Sequence, residues 1–183
     1  MCSYCGCQSI STIGRLMAEH VEVINATGDL RRACEAADGA SVGRLAGRVA
    51  RLLHPHTVME EVGLFAVMSE QEEYADHIHR LCGEHTLLDE LLAAVAAGDL
   101  AGISAFEHAL REHIDKEDNG LFPAAAIALS GADWDRVEAA ATPPTHPHDH
   151  SHGPGHDDHE HEHEHEHPHV HPGATGEIRP PAG

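Results

Sequence analysis

Two stretches of this chain have the same pattern. HTVMEEVGLF at 56–65 and HIDKEDNGLF at 113–122 each run histidine, three residues, an acid, a second acid, two residues, then Leu-Phe. A Glu-His pair precedes each of them, AEH at 18–20 and GEH at 83–85, so the chain holds a twofold repeat of EH, HxxxE with a second acid, and LF. Residues four apart share a helix face, so His56 can hold a metal ion together with Glu60, and His113 together with Glu117. Adding His20 and His85 supplies four imidazoles and two carboxylates, enough to bridge two ions, and that donor set suits iron or manganese. Bridging carboxylates would also offset the charge of two neighbouring cations inside a low-dielectric core. A single His or Glu on a helix is usually solvated. Six of them on otherwise apolar stripes is a different case. Without a metal they would form a buried polar network whose members must satisfy one another.

Those stripes predict the elements that position them. Ser9 and Ser11 can cap a first helix with Ile13, Leu16, Met17, His20, Val23 and Ile24 on one face. Asp38-Gly39 and Ser41 mark a break and a new start, followed by Val42, Leu45, Val49, Leu52, Leu53, His56 and Glu60 on one stripe. A third helix is expected from about Glu72 to Ala97, carrying Ile78, Leu81, Cys82, His85, Leu88 and Leu91 and ending at Gly98. A fourth covers about Leu100 to Asp118 with Ile103, Phe106, Leu110, His113 and Glu117 aligned, and a short fifth is expected from Pro123 to about Ala141. Short connections make consecutive helices antiparallel neighbours, so the fold class is all-α, an up-down-up-down four-helix bundle.

Composition agrees with this. Apolar residues make up 41% of the 183-residue chain and aromatics only 3%, so Ala, Leu, Val and Ile carry the core, which suits helices better than sheets. The formal charge is -20, acidic in both the body and the tail. Such a surface repels phosphate backbones and anionic lipid, so no nucleic acid or membrane partner is expected, and cations are the natural partners. No stretch reaches the roughly 20 apolar residues of a membrane span, and MCSYCGCQSI lacks the features of a signal peptide. Five cysteines, three of them crowded at positions 2, 5 and 7, suggest reduced thiols and a cytoplasmic location.

The chain divides into a Cys-rich leader at 1–8, the bundle at 9–141 and a tail at 142–183. CSYCGC at 2–7 has the CxxC spacing of zinc and redox sites, though it reads equally well as an exposed leader. The tail holds 12 of the 20 histidines between His146 and His171 and has no apolar face, so it is expected to be disordered without metal. Its imidazoles can take Ni, Zn or Cu. His54 and His108 are expected at the surface, and Trp134 as a packing anchor for the last helix.

The repeated HxxxE motif with its second acid, HxxxEE at 56–61 and HxxxED at 113–118, and the LF(P) motif resemble the hemerythrin family, and most closely its HHE cation-binding branch, over residues 9 to about 130. The resemblance implies a non-haem di-iron centre with His20, His56, Glu60, His85 and His113 as iron ligands and an acid after His113 completing the set. The internal repeat favours Glu117, and Asp118 is the alternative. The oxygen carriers of the family have a further histidine four residues before His85, where this chain has Leu81. That difference implies either an extra open position on one iron or its filling by water, Cys82, His79 or His77, and an open site suits O2, NO or peroxide as small ligand rather than simple oxygen carriage. Two other functions fit the same sequence. One is a metal chaperone or store that works through the His-rich tail, and the other is a peroxidase or ferroxidase. Tyr74 is too far along its helix to be a strong candidate for the site.

Overall fold

The structure, a computed structural model, describes residues 7–140. Cys2, Cys5 and the His-rich tail, with its expected disorder and metal binding, lie outside the described residues. A 3-10 turn at Cys7–Ser9 leads into α1, Ser11–Glu35. Helix α2 runs through three consecutive segments, α-helical Gly39–Met59, π-helical Glu60–Phe65 and α-helical Ala66–Met68. Helix α3 is Glu72–Ala96. After a 3-10 turn at Leu100–Gly102, α4 runs through Ile103–Lys116, a π segment at Glu117–Leu121 and Phe122–Ala128. Helix α5 is Gly131–Ala140, and the described residues contain no strand.

Each long helix packs on its neighbours in sequence, and α4 closes the square against α1. Polar contacts give the directions. From His20 to Arg31 along α1 the partner moves back along α4 from Asp118 to Glu107, so these helices are antiparallel. The pairs Glu19–His56 and Asp29–Arg48 give the same result for α1 and α2. The expected up-down-up-down bundle is the observed one.

The repeat extends into the turns. Helix α1 ends with Asp38 N–H donating to Ala33 C=O (3.1 Å) around Ala37 at φ 53°, and α3 ends with Asp99 N–H donating to Ala94 C=O (3.0 Å) around Gly98 at φ 111°. Both are left-handed C-terminal caps, which Gly adopts freely and Ala does not. Asp38 then accepts from Ser41 N–H and Asp99 from Gly102 N–H, each at 3.2 Å, so the same residue type starts both following segments.

Three boundaries differ from expectation. The N-cap position of α1 falls on neither Ser9 nor Ser11. The N-cap is Ile10, with no side-chain cap, and Ser11 donates its hydroxyl to Glu138 of α5 at 2.6 Å. Asp38, not Ser41, supplies the capping side chain of α2. The fifth helix does not begin at Pro123, because α4 runs through its π segment to Ala128 and breaks only at the extended Leu129. The new start is at Ser130, whose backbone N–H and hydroxyl reach Asp133 at 2.9 and 2.7 Å while its Oγ accepts from Asp133 N–H, a capping box.

Two apolar clusters fill the bundle. One, toward the α1–α2 and α3–α4 turns, includes Val23, Leu30, Val49, Leu53, Leu88, Phe106 and Leu110. The other includes Cys7, Ile13, Leu16, Leu64, Phe65, Met68, Leu81 and Phe122, and α5 covers it with Val137, with Trp134 packed beside it as expected. Gly63 lets α5 come close, since a Cβ there would meet the Val137 carbonyl oxygen at 3.3 Å. Each fully buried Leu, Ile or Phe contributes about 1.5–3 kcal/mol through removal from water. The polar residues of the repeat lie in the layer between the two clusters.

Candidate metal centre

His20 comes from α1, His56 and Glu60 from α2, His85 from α3, and His113 and Glu117 from α4. All six are buried, and both glutamates are completely inaccessible. Their donor atoms form two overlapping quartets, His20, His56, Glu60 and Glu117, and Glu60, His85, His113 and Glu117, each with all its atoms within 4.8 Å of one another. Each glutamate is divided between the quartets. Glu60 Oε1 lies 3.3 Å from His56 Nε2 and its Oε2 lies 3.4 Å from His85 Nε2. Glu117 Oε2 lies 3.1 Å from His20 Nε2 and its Oε1 lies 3.3 Å from His113 Nε2.

Four further acids hold the outer nitrogen of each ring. His20 Nδ1 meets Asp118 at 2.9 Å, His56 Nδ1 meets Glu19 at 2.8 Å, His85 Nδ1 meets Glu61 at 2.7 Å and His113 Nδ1 meets Glu84 at 3.0 Å. A carboxylate at Nδ1 keeps the proton there and turns the Nε2 lone pair inward. The His20 ring stacks on Phe122 and the His85 ring on Phe65, with centroids 5.8 and 5.5 Å apart. Every position of the repeat therefore has a physical task. The Glu of EH orients the next helix's histidine, the second acid orients the histidine of EH in the opposite pair, and the Phe supports that ring.

Asp118 thus stands behind His20, outside both quartets, while Glu117 points into them. The sequence reading did not single out Glu19, Glu61, Glu84, Phe65 or Phe122 for these tasks. The available signal was their recurrence in both halves next to the inner residues. Leu81 is completely buried in the second apolar cluster, Cys82 and Tyr74 pack against that cluster, His77 is half-buried and His79 exposed. None of these joins a quartet among the described residues. His54 and His108 are exposed, as expected.

The inner atoms lack hydrogen-bond partners. His20 Nε2, His56 Nε2 and all four carboxylate oxygens of Glu60 and Glu117 are buried and unsatisfied. His85 Nε2 and His113 Nε2 face each other at 3.0 Å, and with both Nδ1 protons committed to acids this contact sets lone pair against lone pair. Unmet buried acceptors of this kind cost about 1–3 kcal/mol each, more for charged groups, and cations placed among them would remove the deficit. Proton affinities point the same way. Burial and the facing Glu117 push the Glu60 carboxyl well above its ordinary range. Burial acts against a charged His20, but Asp118 and Glu117 outweigh it and raise its pKa to about 9. Burial lowers those of His56 and His113. Burial also works against ionised Glu117, yet the surrounding histidines bring it below its ordinary value. The layer is built for positive charge, and the donors fit a metal of borderline or hard character.

A four-helix bundle with buried, outward-braced His and Glu quartets defines a cation-binding protein. The hemerythrin HHE cation-binding domain matches residues 11–125, and the chain belongs to that family. No curated protein and no solved structure matches it. No helix among the described residues is long and apolar enough to cross a membrane.

Proposed function

We propose that the chain is a non-haem di-iron protein, with one ion in each quartet, that senses, binds or detoxifies a small ligand such as O2, NO or peroxide, or handles iron. The observation that carries this reading is the division of Glu60 and Glu117, one oxygen of each directed to either quartet. A bridging pair of carboxylates needs that disposition. Bound iron would supply reversible one-electron chemistry and open coordination positions.

The protein's own residues do the rest. Glu60 and Glu117 offset the cation charge, and the four outer acids fix ring orientation and strengthen the Nε2 donors. On the side of the first apolar cluster, the space beside His20, His56 and His113 is walled by Val23, Leu53, Leu110 and Ile114 and has no room for a water molecule. That wall keeps bulk water away from the inner donors on this side. With two His and two shared Glu per ion, both positions keep places for a ligand, and among the described residues none joins the quartets in the place that Leu81 leaves without a histidine. In this reading the chain works in the cytoplasm, where crowded thiols stay reduced.

Iron-57 Mössbauer spectroscopy of the full chain, reconstituted without oxygen, tests the proposal. The expected result is two buried ferrous ions per chain, distinct from any bound to the tail, that develop near-ultraviolet charge-transfer absorption in air. Survival of that absorption after both Glu60→Ala and Glu117→Ala would overturn it.

A further inference from the structure

Aligned through the repeat, Met59 of α2 and Lys116 of α4 occupy the same place, one residue before the inner glutamate. Their surroundings differ in charge. Lys116 Nζ donates to Glu84 at 2.6 Å, and Glu84 is the acid that holds His113 Nδ1. In the other half Met59 lines a cleft of about 240 Å³ together with Glu19, the acid that holds His56, with Glu22 and Arg51 on its walls. Glu19 has no Lys or Arg within ion-pair distance among the described residues, although Arg15 acts on it from farther away.

We propose that Lys116 makes the two cation positions unequal, so that the His20/His56 position fills before the His85/His113 position. This inference rests on the two-cation reading above. An imidazole that donates from Nδ1 to a carboxylate is a stronger donor at Nε2, and the gain depends on how much negative charge the carboxylate keeps. Glu84 divides that charge between His113 and an ammonium group, whereas Glu19 gives it to His56. The remaining pair differs in the same direction. The side chain of Asp118, behind His20, is 11% exposed, and that of Glu61, behind His85, is 42% exposed, so water screens Glu61 more. The clamp also orders Glu84, which would favour binding. His113 already holds that carboxylate, so the added order is small and the lost charge decides the outcome.

Two measurements test it, one of which needs no metal. In histidine-labelled, metal-free protein, the His113 Nδ1–H proton should resonate upfield of the His56 proton. Lys116→Met should move it downfield toward that position, and Lys116→Arg should leave it in place. If Lys116→Met does not move it, the proposal fails. In the second measurement ferrous iron-57 is added without oxygen at one equivalent and then two. One Mössbauer doublet should dominate at one equivalent, corresponding to a difference in affinity of roughly tenfold, the low end of what an outer partner contributes. Lys116→Met should bring the two doublets toward equal intensity, and Met59→Lys combined with Lys116→Met should reverse their order. Two equal doublets in the unsubstituted chain at one equivalent would overturn the inequality while leaving the two-cation reading intact. Absence of a second buried ion would overturn the reading beneath it.

Discussion

The halves α1–α2 and α3–α4 reach the same geometry with different residues. In the inner layer they are identical in type, with two histidines and one glutamate each. One step outward they diverge, with Asp118 behind His20 where Glu61 stands behind His85, and Lys116 beside Glu84 where Met59 stands beside Glu19. At the turns they diverge again, with Ala37 and Gly98 in the same left-handed position. The comparison teaches that the inner layer leaves no freedom of residue type, because each atom has one task, while the outer layers only need a donor, an acceptor or a backbone conformation to be available.

The largest expected effect concerns the supports that the halves share. Phe65→Ala and Phe122→Ala remove equivalent buried rings from beneath His85 and His20. Each should cost about 3–5 kcal/mol of unfolding free energy in urea. A markedly smaller cost for one would mean that the halves are not packed alike. Next comes metal removal. On the proposed di-iron reading, chelating the metal should lower stability by about 2.7 kcal/mol where the free ion had stood a hundredfold above its Kd. Glu60→Ala and Glu117→Ala should each abolish that difference, since either glutamate belongs to both quartets. A variant that keeps the full metal-dependent gain would break the picture of shared carboxylates. Removing an outer acid should weaken metal binding about 10–100-fold, as read by competition with a chelator. Asp118→Asn should fall nearer the upper end than Glu61→Gln, and the opposite order would contradict the role given to burial. The smallest effect is at the turns. Ala37→Gly should stabilise and Gly98→Ala destabilise, each by about 1 kcal/mol in thermal or urea unfolding, and equal signs would show that the two caps are not equivalent.

The inner layer was legible because the repeat put the same residue types at the same spacing twice, and the apolar stripes around them gave four helices of nearly correct extent. The outer acids were less legible. Glu19 and Glu84 sit one residue from a site histidine, which is about 100° around the helix, so a reading that follows a single face passes over them. Their partners lie on other helices, which no local pattern reveals. The π segments were invisible for a related reason, since an i, i+4 template assumes the regular ladder. The end of α4 was misplaced because Pro123 looks like a helix start, whereas the SGAD sequence at 130–133 held the true capping box.

The two π segments have a consequence for how the chain tolerates change. Each begins at an inner glutamate, and in the second the Phe122 N–H reaches back five residues to the Glu117 carbonyl instead of four. The wider turn accommodates one residue beyond the α count, a phase advance of about 100° for everything that follows. Val62 and Asn119, at matching places inside the segments, are both exposed and make little use of their side chains in the core. Their identity should be free to vary, but their presence should not. Deleting either would return its helix to the regular ladder and swing Phe65 or Phe122 away from the ring it supports. What these positions contribute is length.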